Sequence, residues 1–322
     1  MATQTTGTYF TLIETARRHD PDGNIAKIAE VLTQKNQLLE DAVFVEANNL
    51  TSHMYTQRLT EPSGSWVNIN EHVSIEASRT KQLVEPIRML ESYSRIDERI
   101  LEIESNPGAF RSTEDMSFVA GLAKTFAESF FYGASSDDPS EIIGISNRSE
   151  WDAAADINVL DAGGSSKTSS VWIIDWGVDT VHLVYPKGSK TAGIAMEDLG
   201  RNLVNETAGS LFTAYVTRFK MHTGVVPRDP RCIQRICSID PAQDDTYDLD
   251  TDDLVGAIVK MPEQKGIIYM NKTILSQLLI DAKDKTNVQY PPDDPWGRRF
   301  RVDFMGLPVK IVEQLTSTET AL

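Results

Sequence analysis

Residues 171–240 read VWIIDWGVDTVHLVYPKGSKTAGIAMEDLGRNLVNETAGSLFTAYVTRFKMHTGVVPRDPRCIQRICSID. Val171–Trp176 and Thr180–Tyr185 are runs of β-branched, aliphatic and aromatic residues, and Gly177 and Asp179 between them are turn formers. This is the pattern of a hairpin. A polar loop rich in Gly and Lys follows, and a second long extended stretch runs from Ala214 to Ile239. Nothing in these residues is arranged to activate a nucleophile or to hold a metal. The stretch builds long strands.

Composition sets the frame for those strands. A chain of 322 residues can bury a sizeable core in one large or two smaller domains. With 40% hydrophobic and 24% charged residues the chain is of ordinary globular make-up. No run of about eighteen apolar residues exists, so no membrane-spanning segment is expected. The first twenty residues, MATQTTGTYFTLIETARRHD, lack an apolar signal core, and the expected site of synthesis is cytosolic. Cys232 and Cys237 are the only cysteines and read as reduced, packed thiols. The chain carries 31 basic against 47 acidic residues, a net charge of −16 with no dense basic run. Gripping DNA takes clustered cations that displace counterions from phosphate. Stable DNA binding is therefore not expected.

Outward from the opening stretch, the sequence divides into four segments. In residues 1–50, Ile25, Ile28, Leu32 and Leu39 fall on one helical face, and Asp22 or Asn24 can cap the start. A helix with one apolar stripe must dock on something else. Residues 51–95 read as a two-stranded excursion. Pro62, Ser63 and Gly64 form a turn, Val67, Ile69, Val73 and Ile75 share a strand face, and Leu83, Ile87 and Met89 return with Pro86 at an edge. A lone hairpin is marginal in water, so this one packs either on its own domain or on a neighbour. In residues 96–242, FRSTEDMSFVAGLAKTFAESFFYG at 110–133 predicts a helix over 112–132, capped by Ser112 and stopped by Gly133. Met116, Val119, Ala123, Phe126 and Phe130 are its expected core face. Ser135–Asp138 and Asp161–Ser170 are loops. In residues 243–322, an acidic loop precedes a helix near Asp252–Val259 and a short buried strand at Gly266–Met270. Asn271 can cap a helix in which Ile274, Leu275, Leu278, Leu279 and Ala282 share a face. Phe300, Val302 and Phe304 alternate with Arg299, Arg301 and Asp303, and Met305–Val312 turns and continues as strand.

Several phrases carry a family likeness: Tyr185–Ser189, Glu197–Gly200, the GVVPRDPRCIQRICSID run, Met89–Leu101, the FFYG helix end, IIYMNKTILSQL and FMGLPVKIV. They resemble the major capsid proteins of tailed bacteriophages over nearly the whole chain. The resemblance implies an α+β fold of the Hong Kong 97 type, with an N-terminal arm (1–50), an extended hairpin loop lying over a neighbour (51–95), a peripheral domain on a long spine helix (96–242) and an axial domain (243–322). It implies a subunit that self-assembles into hexamers and pentamers, forming the icosahedral head of a virion assembled in the bacterial host cytoplasm. Implied partners are other copies of itself, a decoration or cement protein, a scaffolding protein and a portal, with genome DNA enclosed without specific binding and no membrane. One feature departs from the prototype, in which the G-L-P-V block precedes the last long strand. Here the candidate strand Tyr215–Ile239 comes first, which suggests a permuted connection between the domains. Some relatives carry Lys–Asn crosslinks, and Lys81 lies in the corresponding segment; a Lys in a polar hairpin is ordinarily just solvated.

Candidate chemistry is sparse. Asp244, Asp245, Asp248, Asp250, Asp252 and Asp253 form the most metal-like cluster. A calcium loop started at Asp248 needs Gly and Glu where the chain has Asp253 and Val259. The cluster reads as a solvated acidic loop leading into a helix. His19, His53, His72, His182 and His222 are scattered, without metal-ligand spacing. Gly163–Lys167 and Gly188–Lys190 lack the phosphate-loop frame, and no GxSxG elbow occurs. No catalytic, cofactor-binding or metal-ligating residue is expected. The rival reading, a soluble metal-dependent enzyme using the acidic loop, rests on composition alone.

Overall fold

The two strands that the sequence suggests as a hairpin belong to different sheets. The structure, a computed structural model, describes residues 38–104, 106–133, 140–189, 192–207, 210–242, 247–284 and 302–322. In chain order these form α1 (Leu38–Asp41), β1 (Phe44–Glu46), β2 (Ser52–Thr60), β3 (Arg79–Pro86), β4 (Arg88–Asp97), α2 (Glu98–Ile103) and α3 (Pro107–Tyr132). There follow β5 (Val159–Asp161), β6 (Ser169–Ile174), β7 (Val181–Tyr185), β8 (Ile194–Thr207), β9 (Ser210–Pro227) and β10 (Ile233–Ile239). The last are α4 (Thr251–Lys260), β11 (Ile267–Met270), α5 (Lys272–Asp284), β12 (Val302–Phe304) and β13 (Leu307–Ile311). The apolar stripe at Ile25, Ile28 and Leu32, with His19, the 135–138 loop, Asp244, Asp245 and the Arg299–Arg301 part of the predicted strand, lies outside the described residues.

β6 pairs antiparallel with β10 on one edge and with β11 on the other. β7 pairs parallel with β1 and antiparallel with β9. All six β6 residues are buried, so this strand is central and has no free edge for β7. The intervening corner is closed locally: the Thr180 hydroxyl donates to the Asp175 carbonyl at 2.8 Å and the Gly177 amide to the Val181 carbonyl at 3.0 Å. The predicted extended run to Ile239 also breaks. β9 ends at Pro227, the Asp229 carboxylate accepts from the Arg231 amide at 3.1 Å to cap a 3-10 turn at Pro230–Cys232, and β10 then joins the other sheet. Cys232 therefore sits in that turn, and Cys237 in β10. β8 went unread because its Met196–Leu199 and Arg201–Leu203 are exposed on both faces, leaving no period-2 alternation.

The long helix begins five residues before its predicted start. Asn106 accepts from the Ala109 amide through its side-chain oxygen at 3.2 Å, and Pro107 sits at the first helical position, where its missing N–H costs nothing. Ser112 lies inside the helix. At 26 residues α3 spans about 39 Å. Its predicted core face is corrected in the first half: Met116 is 68% exposed and Val119 is exposed. The covered stripe recurs every four residues through Phe110, Glu114, Phe118, Leu122 and Phe126, and Phe118 stacks on Phe219 at 5.7 Å. Two stripes compatible with helical spacing converge at Phe126, and the sheet selects one.

Among the described residues two units each gather their own contacts, one from 89–126 and 192–222, the other from 38–88, 127–190 and 223–322. Both are discontinuous in sequence; the expected 51–95 and 96–242 segments are each divided between the two, and 243–322 lies within the second. In the first unit β8 pairs along β9, and Ile96, Ile100, Leu101 and Phe110 form a small core. In the second, the sheet ordered β12-β13-β11-β6-β10-β5 packs Val171, Ile173, Ile236 and Ile268 against Leu254, Ala257 and Ile258 of α4 and Ile274 and Leu278 of α5. Asn271 caps α5 by accepting from the Ile274 amide at 2.8 Å. Met305 and Gly306 both adopt positive φ, 51° and 82°, which makes the tight turn joining β12 to β13. β8 and β9 precede this 305–312 block in the chain.

Candidate assembly surface

β2 and β3 pair only with each other among the described residues, as a two-stranded ribbon. The predicted excursion is thus present, but its strands differ from those expected. Val67, Ile69, Val73 and Ile75 lie in the 61–78 connection, which is not strand. Every residue from Glu61 to Ser78 is exposed, Trp66, Ile69 and Ile75 almost completely. The tip is held by its own carboxylates: Glu76 accepts from the Ser63 amide at 2.6 Å and Glu71 from the Asn68 amide at 2.9 Å. A loop that spends backbone hydrogen bonds to present indole and aliphatic side chains to water has an unpartnered apolar surface.

The root of the ribbon is built differently. Along β2, His53, Tyr55 and Gln57 face inward while Met54, Thr56 and Arg58 face out. Tyr55 is buried with Ala47, Val184 and Val226. Gln57 donates to the carbonyls of Pro227 and Arg228 at 3.3 and 3.0 Å. The Asn48 side chain pairs with the Met54 backbone as a short substitute strand, accepting at 2.9 Å and donating at 2.6 Å. Glu85 of β3 is gripped by both arms of the Arg148 guanidinium at 2.7 and 3.0 Å, and Arg148 also donates to the Val225 carbonyl at 3.2 Å. Glu85 also helps to push the Tyr55 hydroxyl well above the usual phenol range, burial being the larger cause. The close approach at the root depends on Gly224: a Cβ there would meet the Pro86 carbonyl oxygen at 2.8 Å.

The residues weighed for chemistry take structural roles. Asp250 caps α4, accepting from the Asp252 amide at 2.8 Å, and Asp248 accepts from Gln277 at 3.3 Å. Among the described residues no group of three or more His, Cys, Asp or Glu side chains is placed to hold a metal ion. The Gly188 amide donates to the Glu46 carboxylate at 2.8 Å. Burial pushes the Cys232 thiol up to about 12 and raises Cys237 as well, which suppresses the reactive thiolate. Lys81 is exposed, opposite Gln57. Sequence reasoning missed two constellations whose members lie far apart in the chain. Arg235 pairs with Glu319 at 3.0 Å, both buried, and donates to Ser170 and the Trp151 carbonyl, while Tyr132 donates to the other Glu319 oxygen. Asp41 accepts from Tyr269 at 2.8 Å and pairs with Lys310. No helix among the described residues is long and apolar enough to cross a membrane.

This arrangement is a scaffold of structural ion pairs and caps with an exposed apolar tip at 61–78. The chain belongs to the major capsid protein GP7 family, whose model matches residues 20–322, and it is a major capsid protein of a tailed phage. A chain in the near-atomic cryo-EM structure of bacteriophage Epsilon15 is similar at 26% identity and a TM-score of 0.68, covering 99% of this chain and 98% of that one. The bacteriophage JBD30 capsid is similar in fold alone, at 10% identity and a TM-score of 0.52 over 89% of this chain and 94% of that one. The fold is the Hong Kong 97-type capsid fold. No curated protein matches the chain.

Proposed function

We propose that this subunit builds an icosahedral head from hexamers and pentamers, and that the β2–β3 ribbon is the element by which one subunit lies over the next. The carrying observation is the tip at 61–78, exposed throughout and presenting Trp66, Ile69 and Ile75. Such a surface is unfavourable in water until a partner covers it, and the partner at highest local concentration in a shell is another copy. In this reading residues 1–50 are an arm across neighbours, 51–95 the extended loop, 96–242 the peripheral domain and 243–322 the axial domain.

The role is structural, without catalysis. Glu85, Glu319 and Asp41 are each paired with a cation and the two thiols are buried, which supports a structural role for these groups. Assembly takes place in the host cytoplasm with a scaffolding protein and a portal. A decoration protein is a further partner; one JBD30 capsid similar in fold, at 12% identity, is decorated with minor capsid protein trimers. The net charge of −16 supports enclosure of DNA without adhesion.

Replacing residues 61–78 with a Gly/Ser linker of equal length tests the reading. The expected outcome is folded capsomers that do not close into shells under the electron microscope. Shells of normal diameter from that variant would overturn it.

A further inference from the structure

Among the described residues the ribbon has no third strand, yet its direction has to be reproducible for every subunit. We infer that the Glu85–Arg148 pair is the positioning joint that aims the β2–β3 ribbon, an inference that rests on the reading of the ribbon as an assembly element.

Two strands paired only with each other are marginal in water and free to swing at the root unless side chains hold them. The contacts at the root differ in what they restrain. Tyr55 among Ala47, Val184 and Val226 is an apolar contact that tolerates sliding. Gln57 donates to two carbonyls through one amide nitrogen, and Asn48 pairs with the Met54 backbone through its amide, in both cases by bonds between neutral groups. The Glu85–Arg148 contact is different. Two parallel N–H···O bonds at 2.7 and 3.0 Å lock two planar groups together, and the guanidinium is itself fixed by its bond to the Val225 carbonyl. One planar joint therefore ties β3 to the Ile145–Asn147 3-10 turn, through the residue that follows it, and to β9. It is also nearly dry, with side chains 9% and 12% exposed, so a guanidinium left without its carboxylate stays buried and uncompensated. Mere charge satisfaction would accept a lysine at 148. Aiming the ribbon requires the fork.

The test uses the full-length subunit. Arg148→Lys keeps the charge and removes the fork, Glu85→Gln keeps the shape and removes the charge, and Arg235→Lys alters a similarly buried pair away from the ribbon. Folding is followed by circular dichroism and sedimentation, and closure by electron microscopy. The expected result is folded subunits without closed shells for Arg148→Lys and Glu85→Gln, and closed shells for Arg235→Lys. Closed shells of normal diameter from both ribbon-root variants, or equal loss from Arg235→Lys, would overturn the inference. The linker-replaced tip, run alongside, separates the two ideas. If it closes normally, the reading of the ribbon fails, whereas if it alone fails to close, only the joint fails. A direct readout covers a variant that folds poorly. Spin labels at Asn68→Cys and Lys187→Cys, both exposed, report the tip-to-body distance, since Cys232 and Cys237 are buried. A narrow distribution that broadens in Arg148→Lys or Glu85→Gln supports the joint, and an unchanged width in both refutes it.

Discussion

His53 and His182 meet edge to face with ring centroids 5.9 Å apart, joining the ribbon root to β7. His182 is 2% exposed. Burial, the neighbouring His53 and Arg228 lower its pKa to about 4, against the favourable Gly177 backbone bond and Asp179; His53 is lowered by burial and by Arg228. Both rings are therefore neutral in the folded subunit at neutral pH. In the unfolded chain they titrate near 6.5, so between about pH 6.5 and 4 the unfolded state binds more protons. Their contribution to stability is present above pH 6.5 and is lost as pH falls toward 4. Urea midpoints measured across that window should fall less steeply for His182→Asn than for the parent chain. Equal slopes would show that this pair is not the source.

Phe126→Ala should cost the subunit about 3–5 kcal/mol, the usual range for truncating a buried Phe. Phe126 is 2% exposed, where both candidate stripes of α3 meet. Met116→Ala, by contrast, should stay within about 0.5 kcal/mol, because that side chain is 68% exposed. Chemical denaturation of unassembled subunits decides both. A large effect at Met116 would restore the predicted face.

Both thiols should resist alkylation in the folded subunit and react fully after unfolding. Cys232 and Cys237 are 3% and 1% exposed, and burial holds each well away from its thiolate. Iodoacetamide labelling read by mass spectrometry measures this. Rapid labelling of either residue under native conditions would place it at a surface the structure denies it.

Purified capsomers should bind duplex DNA poorly at about 0.15 M salt, where charges are screened within about 8 Å. A subunit of net charge −16 supplies little of the phosphate neutralisation that binding requires. Gel-shift titration gives the answer, and micromolar or tighter binding would reveal a basic surface that composition conceals.

Much of this molecule is legible along the chain because short-range rules settle it. Asn271 caps α5, Ile274, Leu275 and Leu278 are buried and Leu279 is partly buried, as the spacing predicts; the Ala282 side chain lies outside the described residues. Met305–Gly306 between alternating residues is a turn because Gly306 takes a positive φ without steric cost, and Met305 beside it is held at φ 51°. The family phrases place the fold without any geometry at all. What the chain could not disclose is which strand meets which. Val171–Ile174 and Val181–Tyr185 look like mates and go to separate sheets, because a fully buried strand takes two partners and those lie at 233–239 and 267–270. The same holds for Glu85 with Arg148, Arg235 with Glu319, and His53 with His182. Each pair joins residues whose separation along the chain carries no periodic signal, so its geometry exists only once the sheets have closed around it. Local propensity and apolar spacing determine the elements; the competition among strands for edges, decided by burial over the whole chain, determines their partners.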